Sequence, residues 1–217
     1  MSSSPEVDAL RASYMERGLR RADLHDDPIE QLRRWYDDSR AADLQDPDAI
    51  VVSTVAADGT PSSRYVLMRG LDAGVVFFTN YESRKGHELD GRSVAAVVFP
   101  WHPLSRQVRV VGRVERVSDA ESDAYFATRP RGSQIGAWAS PQSEALADRA
   151  ELEALTAEVE ARYEGVEVPR PPHWGGYRVV PDEVEVWQGR RDRLHDRFAY
   201  RRDPSAPTGW TLTRLAP

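Results

Sequence analysis

The chain has 217 residues, 40% of them hydrophobic and 29% charged, with a formal net charge of −6. That length predicts one domain or two small ones, and burial of about 70% of the unfolded chain's surface leaves a core that needs no staple. With no cysteine, a thiol nucleophile, a Cys-ligated metal and a disulfide framework are excluded. The acidic balance argues against nucleic acid as a partner. No apolar run approaches the roughly 20 residues of a membrane span, and the N-terminus lacks the basic and apolar stretches of a secretory leader. The expectation is a cytoplasmic protein with no membrane partner.

In chain order, residues 5–21 predict a short helix broken at Gly18. Asp27-Pro28 reads as a cap followed by a first-turn proline and opens a helix through about Arg40, with Ile29, Leu32, Trp35 and Tyr36 on one face. The period then becomes strand-like. Residues 50–55 and 63–68 flank Asp58-Gly59, the turn chemistry of a hairpin, and residues 75–79 follow a second turn. Ser83 caps a short helix through about Leu89, and residues 94–99 form a strand ended by Pro100. From 107 to 115 the even positions Val108, Val110, Gly112 and Val114 predict the inward face of a half-solvated strand. Helices are predicted at 119–128 and 143–163, the second with Leu146, Leu152, Leu155 and Val159 toward a core. Strands are predicted at 176–180, 184–188, 193–200 and 210–215. Short strands, tight turns and segregated helices indicate an α+β protein built on an antiparallel barrel.

No nucleophile elbow, Walker loop, dinucleotide fingerprint or His-Glu-x-x-His occurs. His25, His87, His102, His173 and His195 never pair at ligand spacing, so no metal site is expected. Of the 29 basic residues only Lys85 is lysine, so a lone arginine carries little information. Arginines grouped with hydroxyls and amides at strand ends carry more, because planar donors suit phosphate oxygens. One such set comprises Ser63-Arg64 through Arg69, Thr79, Ser83-Arg84-Lys85, Arg106-Gln107 and Gln142-Ser143. The Ser83 helix start adds free N–H groups that favour an anion. A second set, Tyr125, Arg129, Arg131 and Ser133, predicts another phosphate subsite, Tyr125 and Arg129 sharing a helix face and Ser133 lying past Pro130. In the third set, Arg193, His195 and Arg197 share one face if the segment is a strand, beside Trp187-Gln188-Gly189.

Phe99-Pro-Trp-His102, Arg106-Gln107, Arg129-Pro-Arg-Gly-Ser-Gln-Ile-Gly-Ala-Trp138, Trp174-Gly-Gly-Tyr177, Trp187-Gln-Gly189, Arg193-Leu-His-Asp-Arg197 and Arg214-Leu-Ala-Pro217 together make the sequence recognisable. From about Arg11 to Pro217 the chain closely resembles the pyridoxamine (pyridoxine) 5′-phosphate oxidases, which share the FMN-binding split barrel. The resemblance implies a homodimer with FMN at the subunit interface. It also implies O2-dependent oxidation of pyridoxamine and pyridoxine 5′-phosphates to pyridoxal 5′-phosphate, with hydrogen peroxide released, and ammonia too from the amine. Carried over by position, FMN contacts fall to Arg64, Tyr65, Val66, Leu67, Met68, Arg69, Phe78, Thr79, Arg84, Lys85, Gln107, Gln142, Ser143, Trp187 and Arg197. The substrate phosphate falls to Arg69, Tyr125, Arg129 and Ser133, and Arg193 and His195, the catalytic candidates, border the reacting ring, orienting it and tuning its local charge. Arg11 and Tyr14 match a segment that covers the substrate, so residues 1–26 are expected to be a mobile cover on a single domain of 27–217. Arg69 stands where the family pattern has Lys, and Phe78 where it has Tyr. A split-barrel reductase of another substrate and a non-catalytic flavin or pyridoxal-phosphate carrier are the competing readings.

Overall fold

The computed structural model describes residues 4–217, so the first three residues of the expected N-terminal segment lie outside the described residues. Helix α1 (Pro5–Arg17) begins where the Ser4 hydroxyl accepts from the Val7 N–H, and it stops at Gly18. Gly18 has φ 67°, a backbone region that side chains disfavour, and a Cβ there would strike the Arg190 guanidinium. Helix α2 (Pro28–Ala41) opens as predicted, the Asp27 carboxylate accepting from Ile29 and Glu30, and it buries Leu32 and Trp35 against the barrel.

Eight strands form one antiparallel sheet: β1 (Ala49–Val55), β2 (Pro61–Leu71), β3 (Val75–Asn80), β4 (Val94–Phe99), β5 (Arg106–Arg116), β6 (Trp174–Gln188), β7 (Asp196–Arg202) and β8 (Trp210–Leu215). Their order is β3-β2-β1-β4-β5-β6-β7-β8, and an additional β3–β6 pairing closes the first six into a barrel. Closure removes the edges of the six barrel strands, and β7 and β8 extend from β6 with β8 as the edge. The alternation read from β5 holds: Val108 and Val110 are fully buried beside Ile50, Val52, Phe77, Val97, Val179 and Val184. The fold is the predicted α+β antiparallel barrel.

Helices α3 (Arg84–Gly91), α4 (Asp119–Ala127), α5 (Arg131–Ala139) and α6 (Arg149–Arg162) complete the chain. Phe126, Ile135, Ala139, Val159, Val168 and Trp174 make a second, smaller core among the last three and the start of β6. Helix α5 carried no prediction, since Gly132 and Gly136 weaken its intrinsic helix signal and burial of Ile135 and Ala139 supplies the stability. The helix expected from 143 starts only at Arg149, capped by Asp148, because Ser143 sits at φ 79° in a turn. Leu146 therefore precedes the helix.

The strands expected at 176–180 and 184–188 are one strand. Pro181, which cannot donate to the ladder, falls opposite Gly112 at a register shift in β5–β6, and pairing resumes on either side. A Cβ at Gly112 would lie 1.9 Å from the Val180 carbonyl oxygen. Gly112→Ala is therefore expected to lower stability by about 2 kcal/mol or more, roughly 5 °C in Tm for a domain of this size. A melting midpoint equal to the parent's would show that the bulge opens without strain.

Candidate active site

The outer side of β2, the Thr79 end of β3, the start of α3 and the turn between α4 and α5 enclose a cleft of about 670 Å³. Of the predicted site residues, Arg64, Tyr65, Val66, Leu67, Arg69, Phe78, Thr79, Lys85, Tyr125, Arg129, Ser133 and Gln142 line it. Trp174, which the site prediction did not include, closes one wall. Met68, between two lining residues, turns into the barrel core, as strand alternation requires.

At one end of the cleft Lys85 is 8% exposed, and its ammonium donates to Thr79 Oγ1 (3.0 Å), Ser83 Oγ (3.0 Å) and Gln142 Oε1 (2.7 Å). All three acceptors are neutral. Burial, with the Arg64 charge adding to it and Glu88 opposing, pushes the Lys85 ammonium down to about 8. Arg64 donates to Thr54 Oγ1 (2.6 Å) and to Ser62 Oγ. Ser143 is brought in from its turn, its hydroxyl accepting from the Arg84 backbone N–H (3.2 Å).

At the other end stands Arg129. Helix α4 stops at Ala127, so Tyr125 and Arg129 do not share the helix face predicted for them; Arg129 lies in the following turn, its N–H bonded to Phe126 O, and Ser133 lies in the first turns of α5. All three still converge on the cleft. The Arg129 guanidinium lies over the Trp174 ring (4.6 Å to the centroid), and its Nη1 is buried without any hydrogen-bond partner. Burial lowers its proton affinity, the Tyr125 hydroxyl pulling slightly the other way. A buried guanidinium N–H without an acceptor carries a desolvation penalty that an anion in the cleft would remove. Phe78 stacks between Tyr125 (4.1 Å) and Trp174 (5.5 Å), so this wall is apolar and the missing tyrosine hydroxyl leaves no unpaired group. Arg69 also faces the cleft but is ion-paired with Asp48.

The third set does not form as predicted. Strand β7 begins only at Asp196; Arg193 lies in a single helical turn at φ 63°, and His195 lies in the loop before the strand. They share no strand face, because left-handed backbone at Asp192 and Arg193 turns the chain before β7 starts. The register nevertheless sets Gln107, Trp187 and Arg197 side by side across β5, β6 and β7. The His195 ring packs on Trp187 at 4.6 Å, and its Nδ1 accepts from the Arg190 N–H. Arg197 is held by both oxygens of buried Glu185 (2.8 and 3.2 Å). Arg11 belongs to this group too: its Nε donates to Ser105 Oγ (2.8 Å), and the Ser105 carbonyl accepts from Gly189 N–H. Tyr14 stacks on Arg106 at 3.7 Å. Within residues 4–26, further bonds from Leu19 N–H to Asp196 and from Tyr200 OH to His25 O fasten the segment to the barrel.

The predicted residues thus form two groups, one at each end of β6. Trp174 begins that strand and Trp187 nearly ends it; its 15 residues have a contour of about 50 Å.

The sequence pattern described as "Pyridoxamine 5'-phosphate oxidase" matches residues 37–163, and that described as "Pyridoxine 5'-phosphate oxidase C-terminal dimerisation region" matches 174–217. The chain belongs to the pyridoxamine 5′-phosphate oxidase family. Within it, this family member is 56% identical over 209 residues to the pyridoxine/pyridoxamine 5′-phosphate oxidase of Burkholderia vietnamiensis, covering 96% of this chain and 97% of that one. It is also 56% identical, over 211 residues and the same shares, to the oxidase of that name in Salinibacter ruber. Among solved structures it is similar to PhzG from Burkholderia lata, crystallised with tetrahydrophenazine-1-carboxylic acid, with TM-score 0.84, 36% identity, and 90% and 95% of the two chains covered. An FMN-binding protein from Nostoc punctiforme, 16% identical with TM-score 0.67 over 86% and 95% of the chains, shares the fold. No helix among the described residues of this oxidase-family chain is long and apolar enough to cross a membrane.

Proposed function

We propose that this family member binds FMN and oxidises pyridoxamine and pyridoxine 5′-phosphates to pyridoxal 5′-phosphate, using O2 and releasing hydrogen peroxide, the amine also consuming water and releasing ammonia. The observation that carries the reading is the orphaned Arg129 Nη1, buried in a cleft that also holds Tyr125 and Ser133. This donor set suits a substrate phosphate. The second cation centre, Lys85 with Arg64 and Arg84, fits a second phosphate, that of the flavin, since Lys85 is buried among neutral acceptors alone. Bound FMN would supply the two-electron acceptor that O2 restores.

The protein's own task is then positional. Arg129, Tyr125 and Ser133 grip the phosphate, and the Phe78–Tyr125–Trp174 stack keeps water from that wall. Arg193 and His195 border the substrate ring, while Gln107, Trp187 and Arg197 face the flavin. Arg11 and Tyr14 cover the substrate, and α1 opens to admit it. Arg69 has its charge shared with Asp48, which leaves Arg129 as the main phosphate holder.

The two groups of residues lie at opposite ends of β6, so a single chain holds two half-sites. A two-fold dimer that sets the cleft of one protomer against the Trp187 end of its partner completes two equivalent sites. Sedimentation is expected to show FMN travelling with a dimer and lost on dissociation, and a flavin-loaded monomer would refute the composite site.

Flavin absorbance that bleaches on anaerobic addition of pyridoxamine 5′-phosphate, with O2 uptake and aldehyde formation in air, tests the function. The likeness to PhzG favours one other reading, a ring carboxylate in place of the phosphate on Arg129. Oxidation of a reduced phenazine carboxylate, with no turnover of pyridoxamine 5′-phosphate, would establish that reading instead.

A further inference from the structure

Glu88 lies on α3 behind the Lys85 end of the cleft and is 7% exposed. Its Oε2 accepts from Ser62 Oγ (2.6 Å), from Thr54 Oγ1 and from Arg64 Nη2 (3.4 Å). Its Oε1 accepts from Arg84 Nε (2.9 Å). One buried carboxylate therefore ties together α3, β1, β2 and two arginines of the flavin-phosphate set. The ammonium and the two guanidiniums carry three positive charges, and Glu88 leaves a net of two, the complement of a phosphate dianion. Burial alone would push the Glu88 carboxyl up, but the bonds from Ser62, Thr54 and Arg84 and the Arg64 charge hold it down to about 2, so it stays ionised at working pH.

We propose that Glu88 is a positioning residue for the flavin phosphate: it fixes Arg64 through Nη2, whose Nη1 is also held by Thr54 and by the Val52 and Ser62 carbonyls, and Arg84 through Nε, so that Arg64 Nε and the Arg84 terminal N–H groups are set for the phosphate before it arrives. This rests on the flavin reading above. Oxygen Oε2 receives three donors and Oε1 a fourth, and all four can be accepted only by a carboxylate. A glutamine has one oxygen. Placing it toward Thr54 and Ser62 turns an amide N–H against Arg84, and placing it toward Arg84 turns the N–H against the hydroxyls that orient Arg64. One placement frees Arg84 from its side-chain acceptor, and the other loosens Arg64, which keeps only the Val52 and Ser62 carbonyls on Nη1, so the ordering must be completed when the phosphate binds.

Titrating the flavin-free full-length chain with FMN and with riboflavin, by quenching of flavin fluorescence, tests this. Riboflavin has the same ring without the phosphate. Glu88→Gln is expected to weaken FMN binding about tenfold or more and to leave riboflavin within twofold. Ser62→Ala, a milder change at a half-buried position, is expected to weaken FMN binding in the same direction by about threefold, and it carries the test if the glutamine variant does not fold. Unchanged FMN affinity in both variants would overturn the proposal, as would equal losses for both flavins. Tighter FMN binding would overturn it as well, because Glu88 would then compete with the phosphate for the arginines. A parent chain that binds FMN no better than riboflavin would instead overturn the flavin-phosphate reading itself, and the proposal with it.

Discussion

Arg129→Ala is expected to lower kcat/KM for pyridoxamine 5′-phosphate by about 30- to 1,000-fold while leaving flavin content unchanged. The half-buried Arg129 guanidinium lies over Trp174 with its Nη1 buried and unpartnered, so its contact with a phosphate would form largely out of water. Charge-assisted, bidentate contacts of that kind contribute roughly 2 to 4 kcal/mol. The loss falls mainly on KM, because the phosphate is remote from the reacting carbon, with some kcat lost where the phosphate aligns the ring. Unphosphorylated pyridoxamine is expected to be a poor substrate for the parent and to lose almost nothing more in the variant. Equal losses on both substrates, or a variant isolated without flavin, would show that Arg129 is structural or a cofactor ligand.

FMN affinity is expected to fall about 30-fold between pH 7 and pH 9.5, with riboflavin affinity following a flatter profile. Burial pushes Lys85 from its ordinary 10.5 down to about 8 in the flavin-free chain. The folded value lies below the unfolded one, so the buried ammonium subtracts about 3 kcal/mol of stability below pH 8. That loss fades as pH rises from about 8 toward 10.5, where the unfolded chain still holds a proton that the folded chain has released. A phosphate dianion against the ammonium favours its charged form and offsets that loss, so binding FMN above pH 8 requires proton uptake and weakens tenfold per unit. Lys85→Met should bind FMN weakly at pH 7, flatten the FMN profile and leave the flavin-free chain at least as stable below pH 8. Parallel FMN and riboflavin profiles in the parent would place the phosphate away from Lys85.

Much of the cleft was legible because its residues sit where local rules apply. Arg64 to Arg69 lie on one strand beside a tight turn, Ser83 caps a helix, and Tyr125, Arg129 and Ser133 fall within nine residues of one another. Glu88, Thr54, Ser62 and Asp48 were missed. Glu88 reads from sequence as an exposed helix acid pairing with Arg84 four residues before it, and only the packing of α3 against β1 buries it. Trp174 stands in a recognisable motif, but its place over Arg129 follows from the β3–β6 pairing that closes the barrel.

By itself the sequence determined most of the strands and helices, the inward face of β5, the caps of α2 and α3, and the family, since these depend on periodicity, turn residues and contiguous motifs, whereas α5 and the start of β7 escaped it. Left to the tertiary structure were contacts between distant segments. Pairing along the whole of β5 carries β6 through Pro181 and so separates the predicted site into two groups. Left-handed backbone at Asp192 and Arg193 takes Arg193 and His195 off the strand they were assigned to. A short sequence window records the preferences of its own backbone and side chains, whereas these outcomes are set by what the barrel, once closed, packs against them.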